Sequence, residues 1–254
     1  MCLNGRVALI TGASRGIGLS IAKLLADKGM SVALNARSSS VKKEANDLRS
    51  NGHNVAGYVA DITDIEKVDQ MVSKIERDLG SLWLLVNNAG TLSTGSTTDL
   101  DEEDWNQDMD VIAKGTFLCS QAAIRRMIPR SGGRIINISS IAGVIVRTNQ
   151  IAYCSAKAAV NHFTRCLSVE MAPHGITVNA ICPGMTYTKM LAQSLKENQI
   201  SIDSVLNLIP AGKMADPINH ASLIAYLATE EAAHITGQVI SVDGAQSLYM
   251  PLSE

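Results

Sequence analysis

Seven short apolar runs separated by helical patterns constrain this chain more than any other feature. The runs are Arg6–Ile10, Ser31–Asn35, Val55–Ala60, Leu82–Val86, Arg134–Ile138, Thr177–Ile181 and Val239–Val242. Between them lie helical stretches: Gly16–Lys28, Val41–Ser50, Ile65–Leu79, Asp101–Met127, Ala152–Ala172 and Asn219–Ala228. In Ile65–Leu79, residues Val68, Val72, Ile75 and Leu79 share one side, the mark of an amphipathic helix. Leu82–Val86 is apolar throughout, as in a strand covered on both faces. Such alternation builds a parallel sheet with helices on both sides, a doubly wound α/β fold of the Rossmann type. The 254 residues show no composition break, repeat or low-complexity linker, so residues 1–254 are read as one domain. The segment from about 185 to 217 is a long interruption with an internal helix.

In such a sheet the ligand lies at the carboxyl ends of the strands, where strand order reverses. Thr11, Asn35, Asp61, Asn87, Ser139 and Pro183 all fall at or just past apolar runs, which core packing alone does not explain. The first of these ends is the most specific. Val7-Ala8-Leu9-Ile10 runs into Thr11-Gly12-Ala13-Ser14-Arg15-Gly16-Ile17-Gly18 and then into a helix. Glycines permit positive φ and close backbone approach. A helix N-terminus presents free N–H groups and the positive end of its dipole, so a pyrophosphate is the natural guest. The alternative is a tight strand–helix turn that binds nothing.

Composition narrows the partners. A net charge of -2 argues against a general nucleic-acid footprint. No apolar run reaches the ~18 residues of a membrane span, and the chain enters its first strand almost at once, so neither a membrane anchor nor a signal peptide is expected. Cys2, Cys119, Cys154, Cys166 and Cys182 form no CxxC pair and read as reduced thiols of a cytoplasmic protein. The five histidines are scattered, so no metal site is expected.

The stretch after the second strand, Asn35-Ala36-Arg37-Ser38, carries no acid that would bind a ribose diol. Arg37, with Arg15 from the glycine turn, suits a phosphate instead. The two arginines favour NADP(H) over NAD(H), the alternative being that both are solvated surface charges. Tyr153-Cys154-Ser155-Ala156-Lys157 places a phenol and an ammonium four residues apart on one helix face. A nearby cation favours the phenolate, so a lowered tyrosine pKa is expected. On its own, such a pair is also an ordinary helix surface.

The G-x-x-x-G-x-G turn, Asn87-Asn88-Ala89-Gly90, Ser140 with Tyr153-x-x-x-Lys157, and Pro183-Gly184 followed by Thr188 together resemble the single-domain short-chain dehydrogenase/reductase family, from Gly5 to Gly244. The resemblance implies Ser140, Tyr153 and Lys157 as the catalytic set. It implies contacts to the dinucleotide from Gly12, Ser14, Arg15, Gly16, Ile17, Gly18, Arg37, Asp61, Ile62, Asn88, Ala89, Gly90, Tyr153, Lys157, Pro183, Gly184, Thr186 and Thr188. Asp61 would meet the adenine amino group, or else cap the helix that follows. The implied reaction interconverts a ketone and a secondary alcohol by hydride transfer from or to a nicotinamide, with Tyr153 as acid or base, in a homotetramer built on the two long helices.

Three features bear on substrate and competence. The segment from Met185 to Pro217 is rich in Met, Leu, Ile and Val, among them Met190, Ile200, Val205 and Ile209, and is expected to lie over an apolar carbonyl substrate. A narrower reading is a 3-oxoacyl-carrier-protein reductase, with acyl carrier protein as partner and Arg125, Arg126 and Arg130 as its basic patch. His174, often arginine in those reductases, counts against it. Ile112 stands where the family usually has an asparagine thought to hold a relay water, and isoleucine cannot hydrogen-bond. Relay through other groups, an altered chain, or a nucleotide-binding regulatory protein with little turnover are the readings this leaves.

Overall fold

The computed structural model describes residues 3–188, 191–192, 195 and 201–250. Seven strands form one sheet: β1 Val7–Ile10, β2 Ser31–Ala36, β3 Val55–Val59, β4 Leu82–Asn87, β5 Gly133–Ile138, β6 Ile176–Pro183 and β7 Val239–Val242. All pairings are parallel, in the order β3-β2-β1-β4-β5-β6-β7. The order reverses between β1 and β4, so the crevice for a ligand opens above that pair. The doubly wound α/β expectation holds, with strand boundaries moved by one or two residues.

The helices among the described residues are α1 Gly16–Asp27, α2 Ser40–Ser50, α3 Ile65–Leu79, α4 Glu102–Asp108, α5 Gly115–Met127, α6 Ile151–Met171, α7 Ile202–Leu206 and α8 Pro217–Leu227. Alternate strand residues face opposite sides. Ala8 and Ile10 of β1 join Val32, Leu34, Leu84 and Ile136 in a core closed by α1, α2 and α8. Val7 and Leu9 join Ala33, Leu85, Ile135 and Val178 in a second core closed by α3, α5 and α6. Of the cysteines, Cys119 and Cys182 are buried and Cys154 and Cys166 are reduced thiols nearer the surface, while Cys2 lies outside the described residues.

The stretch expected as one helix over Asp101–Met127 is continuous, but its middle is a π-helical turn, Met109–Lys114. Gly115 ends that turn against β3's outgoing loop: a Cβ there would lie 2.6 Å from Ile62 Cδ1. The wider turn places Ile112 on the side facing α6, while Asp108 meets the loop at Thr91 and Ser93. Ile112 is 1% exposed and packs with Ala156, Val160, Met109 and Tyr153. Ile112→Asn would put an amide into this apolar cluster. We expect it to lower stability by about 1–3 kcal/mol; an unchanged denaturation midpoint would show that the amide finds a partner.

Candidate active site

The glycine turn leaves β1 through Thr11, whose hydroxyl accepts hydrogen bonds from the Asn88 and Ala89 amides at the end of β4. Asn88 Nδ2 donates back to the carbonyls of Thr11 (2.9 Å) and Gly12 (3.1 Å). Gly12 has φ +64°, and a Cβ on it would sit 2.7 Å from Ala89 Cα, so only glycine fits. Asn87 Nδ2 in turn donates to Ser120 and Asn137, tying β4 to β5 and α5. The asparagines of β4 therefore brace the strand ends.

Ser14, Arg15, Gly16, Ile17 and Gly18 then lead into α1. Its cap residue, Arg15, is extended and makes no side-chain cap bond, and the first turn carries no acid. Among the described residues no side chain caps the first amides there, and they suit a pyrophosphate. Opposite, Pro183 closes β6 and Gly184 begins the return loop. Thr186 donates to the Gly184 carbonyl and shares a 2.8 Å hydrogen bond with His220 Nε2. Thr188 Cγ2 lies 3.9 Å from where a Cβ on Gly16 would sit, so the two loops close on the same crevice. Met185 and Tyr187 bond Ala215, which brings the far end of the 185–217 segment back to the site. Within that segment Val205 and Ile209 are buried packing residues and Ile202 and Leu208 are exposed. Met190 and Ile200 lie outside the described residues.

Arg37 follows β2 directly and is exposed, as is Arg15; among the described residues neither makes a hydrogen bond or ion pair. Asp61 Oδ1 accepts from the Thr63 amide (2.9 Å) and hydroxyl (2.8 Å). Burial pushes this carboxyl up, but the Thr63 hydrogen bonds and the charges of Arg37 and Lys67 outweigh it, so it titrates below the usual range. Asp64, not Asp61, caps α3. Ile62 points into the core, so of the residues expected to meet a dinucleotide it could do so only through its backbone.

Ser140, Tyr153 and Lys157 come together at the end of β5. Ser140 Oγ accepts from the Ala142 amide, starting a short turn over Ile141–Gly143. Ser139 donates to the Lys157 carbonyl, and Asn161 donates to the Gly143 carbonyl, so the loop is pinned along α6. Lys157 is 4% exposed, donates from Nζ to the Ile138 carbonyl at 2.7 Å and lies 5.6 Å from the centroid of the Tyr153 ring. Burial pulls its pKa down to about 8, against the charges of Cys182 and Asp108.

The Tyr153 phenol differs from expectation. Burial pushes it above the ordinary value, and Asp108 and Cys154 add to that, while Ser140 and Arg147 act the other way. Desolvation, not the neighbouring ammonium, dominates, and the phenol is held neutral.

Two further residues belong to the site. His220 is fully buried, and burial lowers its pKa to about 4 from 6.5. Since the folded value is the lower one, the associated stability is complete above pH 6.5 and declines as pH falls through 4. We expect acid unfolding to begin at lower pH in His220→Gln, read as denaturation midpoints from pH 7 downward; coincident curves for both proteins would remove His220 from the account. Asp108, fully buried, was not singled out by sequence, since it stands among five other acids from Asp101 to Asp110.

The arginines expected to border the mouth lie elsewhere. Arg125 pairs with Asp69, Arg126 donates to Ser73, and Arg130 pairs with Glu76 and reaches the carbonyl of Leu82, the first residue of β4. α5 runs antiparallel to the strands, so its last turn sits at the amino end of the sheet, away from Tyr153.

A family model described as short chain dehydrogenase matches residues 6–199. The 3-oxoacyl-[acyl-carrier-protein] reductase FabG of Vibrio cholerae serotype O1 is 38% identical over 98% of this chain and 100% of its own. The (2S)-[(R)-hydroxy(phenyl)methyl]succinyl-CoA dehydrogenase subunit BbsD of Thauera aromatica is also 38% identical, over 98% of this chain and 99% of its own. Among solved structures, an actinorhodin polyketide ketoreductase variant with NADPH superposes with a TM-score of 0.92 at 32% identity, covering 96% of this chain and 98% of that one. The chain belongs to the short-chain dehydrogenase family.

Proposed function

We propose that this protein is an NADP(H)-dependent oxidoreductase that reduces a ketone to a secondary alcohol, with Tyr153 as the proton donor. The observation that carries the reading is the buried Lys157 ammonium, fixed to the Ile138 carbonyl beneath Tyr153, at the strand ends where the glycine turn opens. The turn fits a dinucleotide: the cradle is one a Cβ on Gly12 would fill, and among the described residues no side chain caps the first amides of α1. Arg15 and Arg37 would hold a ribose phosphate, and Lys157 the nicotinamide ribose. Bound there, a reduced nicotinamide supplies the hydride.

The chain's own residues handle the proton. Tyr153, held neutral by burial, gives its phenolic proton to the developing alkoxide. Ser140 donates a hydrogen bond to the same oxygen. The Lys157 charge favours the phenolate left behind. Leu92, Val144, Val146 and Tyr187 are exposed on loops at this end of the sheet and suit an apolar substrate. Exposed Phe117 on α5 and Val169 on α6 support pairing through the long helices in a homotetramer.

The narrower reading, a 3-oxoacyl-carrier-protein reductase, is supported by the Vibrio cholerae relative. The placement of Arg125, Arg126 and Arg130 removes the basic patch first expected beside this chain's own mouth. Loss of NADPH absorbance with a panel of ketones and 3-oxoacyl thioesters tests both readings. Turnover of thioesters alone selects the narrower one; no turnover of any, with NADPH bound, favours the regulatory alternative.

A further inference from the structure

We propose that Asp108 is a positioning residue: a buried counter-charge that keeps the Lys157 ammonium charged and the Tyr153 phenol neutral. The role rests on the oxidoreductase reading above.

Asp108 is 0% exposed at the junction of α4 with the π-helical turn. Its Oδ1 accepts from the Thr91 hydroxyl at 2.6 Å and its Oδ2 from the Ser93 amide at 3.1 Å. Both donors are neutral, and among the described residues Asp108 makes no ion pair. Lys157 is likewise buried, and its ammonium bonds a carbonyl rather than an acid. A buried charge without a counter-charge is costly. Here two opposite buried charges lack a charged contact among the described residues, and one short segment lies against both. The Gly90–Thr91 segment joins them: a Cβ on Gly90 would sit 3.8 Å from Lys157 Nζ, and its neighbour Thr91 bonds Asp108. Met109, next to Asp108, packs against the apolar cluster that includes Tyr153 and Ile112.

The electrostatics agree in sign. Burial dominates both shifts, upward for Tyr153 and downward for Lys157, and the Asp108 charge pushes both upward. The other charged or titratable groups acting on the pair are Cys182 on β6, toward Lys157, and Cys154 on α6 and Arg147 on the preceding loop, toward Tyr153. Among the described residues Asp108 is the one charged group that acts on both. One helical turn on, Ile112 offers no polar atom, so the electrostatic support on this helix comes from Asp108.

Asp108→Asn tests this. The amide keeps both hydrogen bonds, because the Thr91 hydroxyl can reverse to accept from Nδ2 while Oδ1 accepts from Ser93. The Lys157 titration is followed by NMR of carbon-labelled lysine side chains, assigned by loss of the signal in Lys157→Met. The expected result is a midpoint lowered by about one pH unit, with the alkaline limb of kcat/KM for NADPH-dependent reduction moving the same way. An unchanged Lys157 midpoint, whatever the rate, reduces Asp108 to a structural role and overturns the proposal. If the wild-type protein turns over no carbonyl, the oxidoreductase reading fails, yet the Lys157 titration still decides the role of Asp108. Should Asp108→Asn not fold, Asp108→Ser is read the same way. Asp108→Ser likewise removes the charge, so the Lys157 midpoint is expected to fall by a similar amount; no fall at all overturns the proposal.

Discussion

Tyr153→Phe is expected to lower kcat/KM for ketone reduction by about 10³-fold while leaving the dissociation constant for NADPH nearly unchanged. The ring packs with Ile112, Ala156 and Val160, and phenylalanine preserves that packing. What is lost is the phenolic proton that the proposed reaction passes to the alkoxide. The phenol titrates above its ordinary value, so the wild-type protein holds that proton throughout the neutral range. Stopped-flow NADPH oxidation, with fluorescence titration of NADPH on the same variant, separates chemistry from binding. Near-normal turnover in the variant would remove Tyr153 as the acid, and a parallel loss of NADPH binding would assign it to the cofactor site instead.

The parts of this molecule that the sequence made legible are those whose constraint is local. β4 could be read from Leu82–Val86 because a strand covered on both faces must be apolar at every position. The glycine turn was legible because Gly12 answers a backbone requirement, a positive φ against Ala89, that no other residue meets at low cost. Ser140, Tyr153 and Lys157 were found by resemblance, since their convergence depends on how β5 and α6 pack. Their electrostatics were misjudged for the same reason: spacing placed an ammonium near a phenol, but burial, which outweighs it, is a tertiary property. Asp108 is the clearest loss. Nothing in the run from Asp101 to Asp110 distinguishes the one acid that is fully buried, because its burial depends on the π-helical turn and on a loop at Thr91 and Ser93. Arg125, Arg126 and Arg130 show the converse, a cluster legible in sequence whose end of the sheet was not.

Arg37→Asp is expected to lower the ratio of kcat/KM with NADPH to kcat/KM with NADH by roughly 10²- to 10³-fold. Arg37 is the first residue past β2, at the place where the adenosine ribose of a bound dinucleotide would lie. No carboxylate occurs from Asn35 to Ser38, and Asp61 commits one oxygen to Thr63, so the wild-type chain offers a ribose phosphate a cation and little opposition. The substitution removes a charge-assisted hydrogen bond worth about 1.5–3 kcal/mol and sets a carboxylate against the phosphate dianion. The same carboxylate can accept from the two hydroxyls of an unphosphorylated ribose, so activity with NADH should rise as that with NADPH falls. Arg15→Ala should weaken NADPH use without helping NADH, because it deletes a cation and adds no acceptor. The different responses of the two variants to NADH distinguish a phosphate site from two solvated arginines, for which both ratios would stay at the wild-type value.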